Sequence, residues 1–138
     1  MCIIAVKAKG IATPSEENLK NMFYNNPDGA GIAYTKGGKL IIKKGLMSLG
    51  EFLKECNKIN AEDAAVYHCR ITTHGGTCKE LTHPFILDAN IKQQRKTRHE
   101  IEKGVAVAHN GIFSGLKVKD NNSHTTTFIA NFLAPLQR

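Results

Sequence analysis

The chain has 138 residues, of which 41% are hydrophobic and 22% charged, as in an ordinary soluble globular protein of one domain spanning residues 1–138. Its four cysteines fit no disulfide scaffold, and no apolar run is long enough to be a signal peptide or to cross a bilayer. We therefore expect a cytoplasmic protein with reduced thiols and no membrane association. The net charge of +7 favours an anionic partner such as nucleic acid, but a solvated basic surface is the simpler interpretation.

The first third of the chain predicts a strand, a helix and a hairpin. Residues 2–8 are a short apolar run typical of a buried strand. A helix is predicted from Thr13, as its capping residue, to about Tyr24. Residues 31–35 and 39–43 predict two strands joined by a Gly-Gly turn.

The rest of the chain predicts two more strands and two more helices. Residues 92–103 are basic and polar, and they predict an exposed loop or a short helix. The other elements are a helix from Ser48 to about Asn57, a strand over 64–71, a loop over 72–85, a strand over 104–109 and a helix from Ser123 to about Leu133.

Cys2 is the first residue that could carry chemistry. Once Met1 is removed, its α-amine, with a reference pKa of about 7.7–8.0, can accept the proton of its own thiol. The thiolate formed in this way is able to attack an amide. The simpler alternative is that Cys2 is a small apolar residue on a buried strand.

A polar segment follows the strand predicted at 64–71. Arg70 could bind a carboxylate through two parallel hydrogen bonds, and Thr73 and His74 could hold other polar ends of a small substrate. A surface loop at the end of a strand remains the alternative for this segment.

The Asn110-Gly111 pair ends the strand predicted at 104–109. Its side-chain amide and backbone N–H can point at one place and form an oxyanion hole, although Asn-Gly is more often only a turn. A structural metal is not expected, because the adjacent His68 and Cys69 would point to opposite faces of a strand.

Together these segments resemble the class II glutamine amidotransferases, whose catalytic domain is an N-terminal nucleophile hydrolase. The match runs in order from residue 2 to about residue 133, and it is most similar to small stand-alone members carried by bacteriophages. The matching segments are 1–4 (MCII), 27–33 (PDGAGIA), 68–75 (HCRITTHG), 82–85 (THPF) and 108–112 (AHNGI).

The resemblance implies a role for each matched residue. Cys2 would be both nucleophile and base, Asn110 and Gly111 the oxyanion hole, and Arg70 the group that binds the α-carboxylate of glutamine. No cofactor and no metal are implied. The implied substrate-binding residues are Arg70, Thr73, His74, His83 and His124.

The resemblance also implies a fold: an α+β, four-layer α/β/β/α sandwich with mainly antiparallel sheets. Family domains continue with further strands beyond the last motif, so we expect a shortened second sheet, or one completed by another copy of the chain at an open edge. The sequence departs from the family at His124, where the family has an aspartate that pairs with the substrate ammonium, and at Ile3, where it has glycine. Asp120 lies close by in the sequence and could take the place of that aspartate.

Two functional hypotheses follow. In the first, the chain is an enzyme that releases ammonia from glutamine or a related γ-glutamyl amide and delivers it to a partner synthase. In the second, it is a catalytically inactive descendant of the fold that binds a protein or nucleic acid. His124 and the basic stretch 92–103 favour the second hypothesis, and the ordered motifs favour the first.

Overall fold

A five-stranded antiparallel sheet is the centre of the fold, and two short strands pair in a second antiparallel sheet. The structure is a computed structural model that describes residues 1–73, 76–119 and 121–137. The strands are β1 (Ile3–Lys7), β2 (Ala30–Lys36), β3 (Lys39–Leu46), β4 (Ala65–Cys69), β5 (Phe85–Ile86), β6 (Arg98–Ile101) and β7 (Ala106–Val107). The strand order of the main sheet is β1-β4-β2-β3-β6, and β5 pairs with β7 in the second sheet.

The part of the chain that the structure describes has four short α-helices, of which three lie between strands and the last follows β7. They are α1 (Glu16–Asn25), α2 (Leu49–Cys56), α3 (Ile91–Arg95) and α4 (His124–Phe128). None of the helices in the described part of the chain is long and apolar enough to span a membrane. The chain is therefore α+β with antiparallel sheets, as the sequence predicts, while the four-layer order stays a prediction.

Helices α1 and α2 pack on one face of the main sheet. Phe52 of α2 is fully buried and stacks on Phe23 of α1 with 5.9 Å between ring centroids, above the fully buried Ile32 and Tyr67 of the sheet. The helix α2 begins as predicted, because the Ser48 hydroxyl accepts from the N–H of Glu51 in a complete capping box.

The small β5–β7 sheet packs on the opposite face of the main sheet. Neighbouring residues of β2 point to opposite faces, so Ile32 lies among the helices whereas Ala33 joins Ile42 and Ile86 in a second apolar cluster. The two-stranded sheet covers only part of this face. Val6 of β1 remains 77% exposed.

The first strand differs from its prediction. It is an edge strand whose residues are mostly half-buried, and its last residue, Lys7, is buried while Val6 is exposed. Lys7 can be buried because its ammonium donates to the backbone carbonyls of Ala61, at 2.8 Å, and of Asp63.

The predicted cap of the first helix is wrong. The cap is Ser15, whose hydroxyl accepts from the N–H of Asn18, and not Thr13. Starting the helix at this point places Glu16 and Glu17 in the first turn, where the helix dipole favours carboxylates.

The prediction for residues 92–103 is wrong in part. The segment holds the end of α3, as one alternative proposed, but it also contains the strand β6, which pairs with β3 from Leu40↔Ile101 to Lys43↔Arg98. The strand was missed because it lies at the edge of the sheet, where charged residues are common since they discourage further strand pairing.

The last two predicted elements differ from their predictions. The strand over 104–109 is reduced to Ala106–Val107, and both residues are only half-buried. The last helix begins after its cap Ser123, as predicted, but it passes from α4 into a π-helical segment, Ile129–Leu133, and then a 3₁₀ turn.

Candidate active site

A small cavity of about 40 Å³ lies where β1 begins and β4 ends. Antiparallel pairing brings these ends together, because Ile3 is opposite Cys69 and so Cys2 lies beside the residues that follow β4. Six of the residues singled out in the sequence line this cavity: Cys2, Arg70, Thr73, His83, Gly111 and His124. His74 lies outside the described residues.

Asn110, which follows β7 in the chain, reaches Cys2. Its side-chain amide donates to the carbonyl oxygen of Cys2 over 2.6 Å. Gly111, which follows it, adopts a φ of +140°, a backbone conformation that favours glycine. The Cys2 thiol is half-buried, and its Sγ lies 3.7 Å from the carbonyl oxygen of Ile71.

The segment around Asp28 supports the cavity from outside it. The Asp28 carboxylate accepts from the N–H of Thr72 over 2.8 Å, and the N–H of Arg70 donates to the carbonyl of Gly29 over 2.8 Å. A Cβ atom on Gly31 would lie 1.9 Å from the carbonyl oxygen of His83. These residues therefore fix the backbone on which the cavity is built.

Arg70 supplies a buried positive charge to the cavity. Arg70 is only 5% exposed, and burial lowers the pKa of its guanidinium, while the Asp28 carboxylate raises it. A guanidinium remains protonated in proteins. The cavity therefore offers a cation to a bound carboxylate.

His83 lines the cavity, and the buried His68 lies behind it. Their rings stack with 4.3 Å between centroids, and the N–H of His109 donates to Nδ1 of His83 over 3.1 Å. Burial lowers the pKa of His68 to about 4 and that of His83 well below its ordinary value. Both rings are therefore neutral near pH 7, and His83 bounds the cavity without adding a positive charge to it.

No metal site accompanies these histidines in the part of the chain that the structure describes. No three His, Cys, Asp or Glu side chains come together there in a group that could hold an ion. As expected for neighbours on a strand, His68 faces His83 while Cys69 lies in the helix-side core.

His124 is the first residue of α4, directly after the cap Ser123. Its Nδ1 lies 3.1 Å from the carbonyl oxygen of Phe113. Since a carbonyl only accepts, Nδ1 carries the proton in this contact. His124 is therefore hydrogen-bonded to the chain segment that follows Gly111.

A row of stacked rings leads away from the cavity and was missed in the sequence. His109 stacks on Phe113 and Phe113 on Phe128, each with 4.1 Å between centroids, and Phe128 stacks on Phe132 at 5.2 Å. Two of these pairs are four residues apart in the chain, which is the only sequence signal of the row.

The chain is similar to large aminotransferases of bacteria and archaea. It is 32% identical over 105 residues, 74% of the chain, to the glutamine–fructose-6-phosphate aminotransferase (isomerizing) of Aquifex aeolicus. It is 31% identical over 102 residues, 73% of the chain, to the enzyme of that name from Pyrococcus horikoshii, and 28% identical over 133 residues, 94% of the chain, to that of Buchnera aphidicola.

These aminotransferases are distant homologues of the chain, and the similarity covers only part of them. The chain spans 15% of the length of the Aquifex and Pyrococcus enzymes and 18% of that of the Buchnera enzyme. No family model and no solved structure matches the chain.

Proposed function

We propose that the chain, with Met1 removed, is a class II glutamine amidotransferase-like amide hydrolase that releases ammonia from glutamine or a related γ-glutamyl amide. The observation that carries this proposal is the contact of the Asn110 amide with the Cys2 carbonyl, 2.6 Å long, beside a cavity that Cys2, Gly111 and Arg70 line together. The homologous aminotransferases have glutamine in their names, which supports glutamine chemistry in this chain.

The cavity residues suggest the order of the steps. The Cys2 thiol passes its proton to its own α-amine, directly or through water, and Sγ attacks the side-chain carbonyl carbon of the substrate. Asn110 and the N–H of Gly111 hold the oxyanion that forms. The C–N bond then breaks, the ammonia leaves with the proton, and water hydrolyses the thioester to free the thiol and a γ-carboxylate.

The remaining residues position the substrate. Arg70 binds the α-carboxylate through its planar fork, and Thr73, His83 and His124 shape the wall around it. The ammonia passes to a synthase, which is either a separate partner or another part of a longer protein. The chain matches only 15% of the length of the Aquifex aeolicus aminotransferase, and the rest of that enzyme lies outside the match.

Ammonia release from glutamine and from γ-glutamyl amides tests the proposal, using protein whose intact mass shows that Met1 is absent. We expect turnover in the wild type and a loss of several orders of magnitude in Cys2→Ala, because the nucleophile is removed. Cys78→Ala is the matched control and should keep its activity. Turnover that survives in Cys2→Ala would overturn the proposal and point to another nucleophile.

A further inference from the structure

An open apolar groove of about 370 Å³ adjoins the cavity of Cys2. Its apolar lining residues are Ile112, Phe113, Leu116, Phe128 and Phe132, and Ser114 and Gly115 also line it. Ile112 lines both spaces, so the groove and the cavity are neighbours. No charged side chain is among the described residues that line the groove.

The two spaces differ greatly in size. The cavity, at about 40 Å³, is much the smaller of the two, and because Cys2 and Arg70 both line it, the reacting amide and the α-carboxylate of a substrate would occupy it. A larger group on the α-nitrogen must then extend into the space beside the cavity. The groove, at about 370 Å³, is large enough for a ring or a branched acyl group.

The groove is built to contact a flat apolar group. The row of stacked rings runs from His109, which lines the cavity, to Phe132, which is 51% exposed at the groove. Ile112, at the junction, is 56% exposed. These apolar side chains are in water when the groove is empty, and a bound apolar group would cover them.

The charges around both spaces select the rest of the ligand. Arg70 is a cation suited to a carboxylate, but among the described lining residues of the cavity and the groove there is no aspartate or glutamate. The acid that acts on Arg70, Asp28, lies outside this lining and accepts from the N–H of Thr72, while Asp120 lies outside the described residues. A free α-ammonium group would therefore meet the charge of Arg70 without a carboxylate from the described lining. An acylated α-nitrogen carries no charge and avoids this cost.

His124 fits the same conclusion. Its Nδ1 donates to the carbonyl of Phe113, which holds the imidazole ring against the groove. The class II glutamine amidotransferases have an acid at the position of His124. Resting on the proposed function, we infer that the substrate is an Nα-acylated glutamine whose α-carboxylate binds Arg70 and whose apolar acyl group occupies the groove. Hydrolysis consumes one water and yields the Nα-acylglutamate and ammonia.

Three ligands separate the two parts of this inference: glutamine, Nα-acetylglutamine and Nα-benzyloxycarbonylglutamine. Calorimetric titration of Met1-free Cys2→Ala measures their binding without turnover. We expect acetylation to tighten binding by about tenfold, since it removes the unbalanced charge, and the aromatic group to tighten it by about tenfold more.

Variants of the groove identify where the aromatic group binds. Phe132→Ser and Ile112→Ser, made in the Cys2→Ala protein, should weaken the benzyloxycarbonyl ligand about fivefold to tenfold. Phe132→Ser should also leave Nα-acetylglutamine nearly unchanged, because Phe132 lines the groove but not the cavity. Ile11→Ser is the matched control, because Ile11 is a 58% exposed isoleucine outside both spaces. It should change neither affinity.

The outcomes distinguish this inference from the proposed function. If the acylated ligand binds in the groove but the wild-type protein, which keeps Cys2, releases no ammonia from it, the groove is confirmed as the acyl-binding site and the proposed hydrolase activity is overturned. Release of ammonia from glutamine at least as fast as from the acylated ligands would support the hydrolase and overturn the acyl specificity. A dimer that Phe132→Ser converts to monomers, with no acyl binding, would also overturn it and assign the groove to a second copy of the chain.

Discussion

Arg70 is the residue that decides whether the cavity binds a carboxylate. It is 5% exposed, its backbone N–H is fixed by Gly29, and its side chain lines the cavity beside Cys2. The planar fork of arginine matches the two oxygens of a carboxylate, and lysine offers only a point charge.

Arg70→Lys should therefore raise the KM for the amide substrate about tenfold and change kcat little, since the lost contact is to a part of the substrate that does not react. Steady-state ammonia release in Met1-free protein measures both constants. Arg98→Lys is a suitable control, because Arg98 lies on the edge strand β6 with a side chain that is 65% exposed. An unchanged KM in Arg70→Lys would remove Arg70 from the site.

His124 determines the charge that the substrate's α-nitrogen meets. An imidazole that donates to the Phe113 carbonyl offers no negative charge, whereas the family's aspartate does. A charge-assisted contact of this kind is worth roughly 1.5–3 kcal/mol, or about one to two decades in affinity. If the substrate binds as inferred, the residue at this position would select between a free and an acylated α-nitrogen.

His124→Asp should shift the preference toward free glutamine by about tenfold or more, measured as the ratio of kcat/KM for glutamine to that for Nα-acetylglutamine. The ratio cancels any general loss caused by breaking the contact with Phe113. His124→Asn keeps the site neutral and should leave the ratio near the wild-type value. If His124→Asp protein free of Met1 releases no ammonia from any substrate, the inactive binding protein becomes the better reading of the chain.

At the scale of elements, the cavity depends on how closely the loop before Pro84 approaches β2. Gly31 lets the carbonyl of His83 pass directly over the strand, since a Cβ there would lie 1.9 Å from that oxygen and 2.8 Å from the Cβ of Lys44. No rotamer change relieves a contact with backbone. The Asp28–Gly31 turn and the His83 segment are thus coupled by packing.

Gly31→Ala should destabilise the fold by about 3 kcal/mol, at the upper end of the cost of overpacking, because the His83 backbone must move. Urea unfolding measures the change. Gly50→Ala in α2 is the matched control, since nothing lies within 4 Å of its added Cβ, and it should be neutral or stabilising by up to about 1 kcal/mol. Equal stabilities for the two variants would contradict the predicted coupling.

The sequence predicts the elements whose signals are local. The hairpin at Gly37-Gly38 and the helix capped by Ser48 follow from residues next to each other in the chain. The strand β6 could not be predicted, because its pairing partner β3 lies about sixty residues earlier and its own residues are polar. The exposure of Val6 likewise depends on how little of the sheet β5 and β7 cover.

The site divides in the same way. The ordered motifs predicted that Cys2, Arg70 and Gly111 would share a cavity, and the structure places them together, while their chemical roles stay predictions. The His68–His83 stack and the row from His109 to Phe132 were not predicted. Those contacts join side chains from separate segments, and only the packing of the segments brings them together.

At the scale of the whole molecule, the buried histidines make stability depend on pH. His68 is fully buried and His83 is 6% exposed, and desolvation lowers the pKa of each ring, for His68 to about 4. In the unfolded chain both would titrate near the reference pKa of about 6.5. Between these values the unfolded state binds more protons than the folded one, so stability is present above pH 6.5 and is lost as the pH falls toward 4.

Between pH 7 and pH 5, the proton that His68 binds only in the unfolded state should lower the free energy of unfolding by about 2 kcal/mol. His83 acts in the same direction. His68→Phe keeps a ring against His83 but cannot bind a proton. The decrease in its free energy of unfolding between these two pH values should therefore be smaller than that of the wild type by about 2 kcal/mol. Urea unfolding at both pH values measures the difference. Phe52→Leu, a core change without a titrating group, should lose as much as the wild type. An equal loss in His68→Phe would show that the His68 ring is not held neutral by its burial.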